Sequence, residues 1–438
     1  MTTYGNPSRI SVDVEGGGIG ALDLDTVQKV VLFGRGDPSS GSAQTNDPTR
    51  VSSGGELAET FGADTQLVEL ARGAAGNGVS YDLLYGVMPE QINTTDTIAS
   101  EQATLDTAPI VEDASLVTVT NTVSSTEQTP VWRYELPIDT PDIGAEEVAI
   151  NPLTGDVWTG STDEHEFEYE YLDWQAAFDS ASQVIQEQED GLWYVRSEAE
   201  SVLTDAIATA APLRESQWKM IRVAGDAEPN MTAADGSAQI DVGSYEASLD
   251  DDALFVFGPV RQATSEGPVS GGLAGVLGSR SLDESILGAS LTGYGSLDQT
   301  LPVPDQEALE SAGVIPLSNT GAPTIEGNLS TSTATDYTRS YFIRRLADRL
   351  ILAARAIARA VRGDVNNDRT ERVVEGRLGD EIVDLIDDGL LEPNTQTERN
   401  WFVDATQDAQ NPRKLEVSFG FTPEGIVDTV TFDATVSI

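Results

Sequence analysis

The segment Tyr341–Arg362, YFIRRLADRLILAARAIARAVR, reads as one amphipathic helix. At about 100° per residue, Ile343, Leu346, Leu350, Ala353, Ala354, Ile357 and Val361 share one stripe, and Arg344, Arg345, Arg349, Arg355, Arg359 and Arg362 lie around the opposite side. Seven arginines fall between Arg339 and Arg362 against a single acid, Asp348. Such a helix is expected to pack on its own domain with one face and to offer the other to something acidic.

Outward from that helix the chain is overwhelmingly anionic. Its 438 residues carry 73 acids and 25 bases, a formal net charge of −48, and the only lysines are Lys29, Lys219 and Lys414. Self-repulsion on this scale is tolerable where salt shortens the Debye length to about 3 Å at 1 M, which points to a salt-rich cytoplasm. General nucleic-acid binding is not expected, because a phosphate backbone needs a basic footprint. With no cysteine there is no disulfide, thiolate nucleophile or zinc–thiolate site. The first thirty residues show no basic segment followed by an apolar run, and no stretch approaches the roughly 18 apolar residues of a membrane helix. The expectation is a protein assembled in the cytoplasm without a signal peptide and without membrane insertion.

The rest of the chain reads as mixed layers. Ile10, Val12 and Val14 alternate with polar residues and run into Gly16, Gly17 and Gly18, a short strand on a hinge. Val27–Phe33 is an apolar strand, Gly55–Phe61 and Asp64–Ala75 look helical, and Ser80–Val87 returns as a strand. From about 91 to 187 the texture becomes Thr-, Ser- and acid-rich with short strands, including Glu164–Tyr171 with one anionic and one aromatic face. This fits a β-rich domain inserted into an α/β core spanning 21–90 and 188–335. Beyond the Arg helix, Gly379–Asp388 is a second helix closed by Gly389 at C′.

The last 24 residues, 415–438, alternate as two strands. Leu415, Val417, Phe419 and Phe421 lead into the turn Thr422-Pro423-Glu424-Gly425, and Val430, Phe432, Ala434, Val436 and Ile438 follow. A strand of this kind needs a sheet partner or leaves an open edge. Two arrangements satisfy the terminal strands: both fold back on their own subunit, or both pair with neighbouring copies.

Chemistry is sparse. No Gly-x-x-x-x-Gly-Lys-Ser/Thr occurs, which removes a P-loop motor. The sole histidine, His165, reads as a strand-face residue, and no catalytic, cofactor-binding or metal-binding residue is assigned. Asp364, Asn366, Asp368 and Glu375 have the spacing of a calcium loop, but Arg369 replaces the required glycine and Arg372 adds positive charge, so a helix connection is expected.

On these residues the chain resembles the contractile tail sheath proteins of myovirus-type phages and phage-tail-like injection systems. The resemblance covers roughly 27–90 and 190–438. It rests on Arg50–Ser53 with Glu56-Leu57 and Phe61-Gly62, on Pro268–Arg280 (PVSGGLAGVLGSR) and Leu309–Asn328 (LESAGVIPLSNTGAPTIEGN), and on the C-terminal order from Arg339–Ala360 to the closing strands. It implies an α+β fold: a mixed α/β core, an outward β insertion, C-terminal helices over 336–414, and arms (1–20 and 415–438) that donate strands to neighbours. Ile10, Val12, Val14, Val430, Phe432, Val436 and Ile438 would then make the exchange. It also implies a structural, non-enzymatic role with no cofactor. The partners would be further copies of the chain, an inner tube protein, and baseplate and tail terminator proteins. The Arg helix would face an acidic tube or neutralise a neighbouring subunit. With the charge balance, a haloarchaeal virus or haloarchaeon is the expected source, and a virion tail or injection particle the expected location. A halophilic surface-layer or adhesin subunit is the competing reading, and a carboxylate hydrolase a more distant one.

Overall fold

The computed structural model describes residues 10–14, 28–134, 143–144, 146–187, 189–227, 229–231, 238–240, 251–263, 267–282, 284–319, 321–332, 339–361, 368–396, 398–407 and 415–423. These residues form two compact units. One draws on Met1–Thr26, Arg280–Leu287 and Phe342–Ile438, and the other on Val27–Ser279 and Gly288–Tyr341.

The chain begins with β1 (Ile10–Val14), which belongs to the first unit. The second unit then opens with β2 (Lys29–Phe33), β3 (Thr49–Arg50), α1 (Leu57–Phe61), α2 (Gln66–Gly76) and β4 (Leu84–Val87). A β-rich excursion follows: β5 (Glu90–Ile98), β6 (Gln102–Thr104), β7 (Thr118–Asn121), β8 (Thr126–Trp132), β9 (Glu147–Ile150), β10 (Asp156–Trp158) and β11 (His165–Asp173). The chain returns through α3 (Trp174–Ala181), β12 (Asp190–Val195), α4 (Glu200–Gln217), β13 (Met220–Asp226) and the small hairpin of β14 (Pro229–Met231) and β15 (Ala238–Ile240). It continues through β16 (Leu254–Gly258), α5 (Ser270–Ser279), α6 (Val303–Ser311), β17 (Val314–Ser318) and β18 (Thr324–Ile325).

The central sheet has the order β18-β17-β16-β13-β12-β2-β4-β3. Its six inner strands are parallel, and the two-residue strands β18 and β3 close it antiparallel at either edge. Because β2 lies between β4 and β12, strand order reverses there, as in doubly wound sheets. The period-2 alternation of the strands sorts their side chains. Val31, Phe33, Trp193, Val195, Ile221 and Val223 meet Trp174, Phe178 and the buried residues of α3 and α4 in one core. Phe33 meets Trp193 edge-on at 5.4 Å and Phe178 at 5.0 Å, an aromatic cluster within this core. Helices α2 and α5 cross through glycines: a Cβ at Gly73 would stand 2.8 Å from the Gly271 backbone, and one at Gly275 2.7 Å from the Ala74 carbonyl oxygen. Only residues without side chains let these helices approach so closely.

The excursion forms its own seven-stranded sheet, β5-β11-β7-β8-β9-β10-β6, over a separate core that includes Val119, Val148, Ile150, Phe167 and Tyr169. The strands of this second sheet end at Asp173. Trp174, Ala177, Phe178 and Ala181, expected within an insertion running to 187, are buried in the main core. His165 is fully buried, its Nδ1 2.9 Å from the Asp163 carbonyl oxygen, so it is a core histidine of the insertion.

The first unit holds α7 (Tyr341–Ala360) from Phe342 on, then α8 (Asp368–Asp387), β19 (Trp401–Gln407) and β20 (Leu415–Phe421). Helix α8 begins eleven residues before the expected Gly379, so Arg369 and Glu375 are helical and form no calcium loop; Asp364 and Asn366 lie outside the described residues. Gly389 adopts φ 77°, and Leu390 N–H returns to the Leu385 carbonyl, the C′ ending expected. Among the described residues no helix is long and apolar enough to cross a membrane.

Candidate assembly surfaces

The terminal sheet has the order β1-β20-β19. β1 runs antiparallel to β20 with Ile10 opposite Phe419, Val12 opposite Val417 and Val14 opposite Leu415. In the single chain this seat is filled by the chain's own N-terminal strand. β19, absent from the sequence-based expectation, occupies the other side of β20, with Trp401 opposite Phe421 and Gln407 opposite Leu415. Both sides of β20 are thus taken by β1 and β19, and the expected partner strand with Val430, Phe432, Val436 and Ile438 lies outside the described residues. So do Gly16, Gly17 and Gly18.

The outer side of β19 is closed by α8. Glu375 Oε1 accepts the Ala405 N–H at 3.1 Å, and Glu371 Oε1 accepts the Gln407 N–H at 3.0 Å. Two main-chain donors that would otherwise pair with an added strand are held by carboxylates. Val374, Leu378, Ile382 and Leu385 form the buried face of α8, and Trp401 lies 3.8 Å from the Cβ position of Gly379.

The Arg helix keeps its expected stripe, with Leu346, Leu350, Ala353, Ala354 and Ile357 buried, and three of its arginines, Arg344, Arg345 and Arg349, are engaged within the chain. Arg345 is 5% exposed, and its Nη1 donates to the carbonyl oxygens of Arg280 and Ser281 at 2.7 and 2.9 Å, tying the 280–287 segment to the helix. Arg344 pairs with buried Asp348 at 2.5 Å. Arg349 donates through Nε and Nη2 to Glu381 of α8 at 2.9 and 2.8 Å. Arg355 is half-buried; the side chain of Arg359, and Arg362 altogether, lie outside the described residues. A guanidinium offers five donors in a fixed fork, so Arg344, Arg345 and Arg349 can serve carbonyls and carboxylates of their own chain. A helical wheel shows which side carries charge, not what covers it.

In the larger unit a cavity of about 630 Å³ opens at the carboxyl ends of β2, β12, β13 and β16. Its three arginines face carboxylates: Arg196 pairs with Glu69 at 2.6 Å, Arg261 donates through Nε to Glu198 at 2.8 Å, and Arg35 lies 3.7 Å from Asp113. At its base Asp226 is 1% exposed, accepting from Tyr194 Oη and Ser270 Oγ, both at 2.7 Å. Burial without a contacting cation raises this carboxyl from 3.8 to about 7, against the lowering pull of the two hydroxyls. Among the described residues no cluster of His, Asp and Glu is arranged to hold a metal ion.

No protein-family model matches this sequence, and no curated protein matches it. Solved structures do match in fold. A chain of the anti-feeding prophage baseplate superposes with TM-score 0.58 at 15% identity, covering 100% of both chains. The anti-feeding prophage helical sheath in its contracted state gives 0.55 at 16%, covering 97% of this chain and 96% of that one. The sheath tail protein of Listeria innocua gives 0.52 at 14%, covering 90% and 94%. The mixed α/β fold with several sheets matches that of tail sheath proteins.

Proposed function

We propose that this chain is the structural subunit of a contractile sheath, polymerising helically around an inner tube and shortening to drive that tube through a target envelope. The observation that carries this reading is the end-to-end likeness in fold to the anti-feeding prophage sheath in its contracted state. Work of this kind needs no nucleotide, because it comes from the free-energy difference between two packings of the same subunits.

In this reading β1 leaves its own β20 and fills the equivalent seat of a neighbour, with Ile10, Val12 and Val14 in the same register. Val430, Phe432, Val436 and Ile438 make the second connection, and Gly16, Gly17 and Gly18 supply the bend. A main-chain seat makes the same hydrogen bonds with a strand from any copy, so exchange costs little once subunits are concentrated. The far end of α7, with Arg355, Arg359 and Arg362, is the part of the Arg helix proposed to face an acidic tube or a neighbouring subunit. Baseplate and tail terminator proteins cap the polymer, which belongs to a virion tail or injection particle. The charge balance favours a salt-rich haloarchaeal setting.

Negative-stain microscopy of the purified chain tests the proposal. Tubes with a wide empty bore are expected; discrete small oligomers under every salt condition would reject it, and flat two-dimensional arrays would favour a surface-layer protein.

A further inference from the structure

The outward face of α8 has a pattern that the sheath reading does not use. Arg369, Arg372, Val373, Gly376, Asp380, Val383, Asp384 and Asp387 are all exposed along it. Counted from Leu378, they are antisymmetric: Arg369 and Asp387 stand nine residues to either side, Arg372 and Asp384 six, Val373 and Val383 five, Gly376 and Asp380 two. Rotating the helix end for end therefore places Arg369 and Arg372 opposite Asp387 and Asp384 and valine opposite valine, while at the margins Arg377 falls opposite Gly379 and Asp368 opposite Asp388.

Three features of the face are unfavourable within the subunit. Aspartates at the helix end, where the last turn holds no base, oppose the macrodipole, while Asp368 and Glu371 complement it in the first turn beside Arg369 and Arg372. Val373 and Val383, 37% and 41% exposed, are two of the four large apolar side chains exposed among the described residues. Gly376 sits in mid-helix, where glycine costs about 1 kcal/mol relative to alanine, yet a Cβ there would meet nothing within 4 Å. Its bareness has no packing reason inside the chain and leaves a notch at the centre of the stripe.

We propose that α8 is an isologous docking surface for a second copy of this chain. Two α8 helices run antiparallel about a two-fold axis near Gly376 and Asp380. Arg369 and Arg372 of each face Asp387 and Asp384 of the other, the valines pack on one another, and the glycines permit close approach. A polar helical polymer has no such two-fold between neighbours, so the dimer is a state of the unassembled subunit. It stands independently of the sheath reading.

The absence of cysteine gives a direct test. Arg377→Cys places the only thiol beside the axis, and mild oxidation should yield a covalent dimer many times faster than Glu307→Cys, an exposed control on α6. In sedimentation of the soluble protein at low salt, Arg372→Asp and Asp384→Arg should each weaken dimerisation by roughly tenfold or more, since each alters two symmetric pairs. The double exchange should restore it, and Gly376→Leu should abolish it with unchanged circular dichroism. Cross-linking no faster than the control, a monomeric parent chain, or a double exchange that stays monomeric would overturn the proposal.

Discussion

In the eight-stranded sheet each of the six parallel strands is hydrogen-bonded on both sides, and the long edges are finished by two-residue strands. In the three-stranded terminal sheet only β20 has two strand neighbours; β19 is finished by Glu371 and Glu375, and β1 has no further strand beside it among the described residues. One sheet is finished at both edges by short strands, and the other is sealed beside β19 by two carboxylates of α8. In the proposed sheath the first sheet stays as it is and the second is the one that exchanges strands.

The comparison breaks first in the core. Trp193→Ala removes the ring that stacks on Phe178 and meets Phe33 edge-on and should cost about 3–5 kcal/mol in denaturant unfolding. Deleting Ile10–Val14 should leave that transition in place while abolishing tubes. If loss of β1 unfolds the central sheet as well, the two regions are not distinct.

Asp226 gives the next effect. Its carboxyl is neutral when the fold is most comfortable, so its contribution is fully present below about 3.8 and is lost as pH rises through about 7. The parent should lose up to roughly 4 kcal/mol across that interval relative to Asp226→Asn, measured as the gap between their pH–stability curves. Parallel curves would show that the carboxyl has no such cost.

Within the terminal unit, Arg345→Ala should destabilise by about 2 kcal/mol, because the Arg280 and Ser281 carbonyls lose their donor. Lysine should recover only part of it. The smallest change is Glu375→Ala, about 1 kcal/mol, read best as faster hydrogen exchange at the Ala405 amide. An unchanged exchange rate there would mean that β19 is not sealed by this carboxylate.

Much of this division was legible in the sequence. The run Lys29–Phe33, the change of texture near residue 91 and the stripe of Tyr341–Ala360 each obey a periodicity imposed by burial on one or both faces. β19 was not legible, because in Trp401–Gln407 only Ala405 is fully buried and the alternation that marks a strand is missing. The start of α8 was hidden by Gly376, Gly379 and a calcium-like spacing. The destinations of Arg344, Arg345 and Arg349 depend on segments distant in sequence, such as Arg280-Ser281 and Glu381, which no local pattern reveals.

Strand exchange can be read out at one register pair. Ser11 and Ser418 are opposed in the β1–β20 ladder, and with no other thiol in the chain the double substitution Ser11→Cys and Ser418→Cys reports who fills the seat. Oxidised after tube assembly and run under denaturing conditions, this variant should give a ladder of covalently linked multimers. Assembled tubes that dissolve entirely into internally bridged monomers would contradict exchange of β1 between subunits.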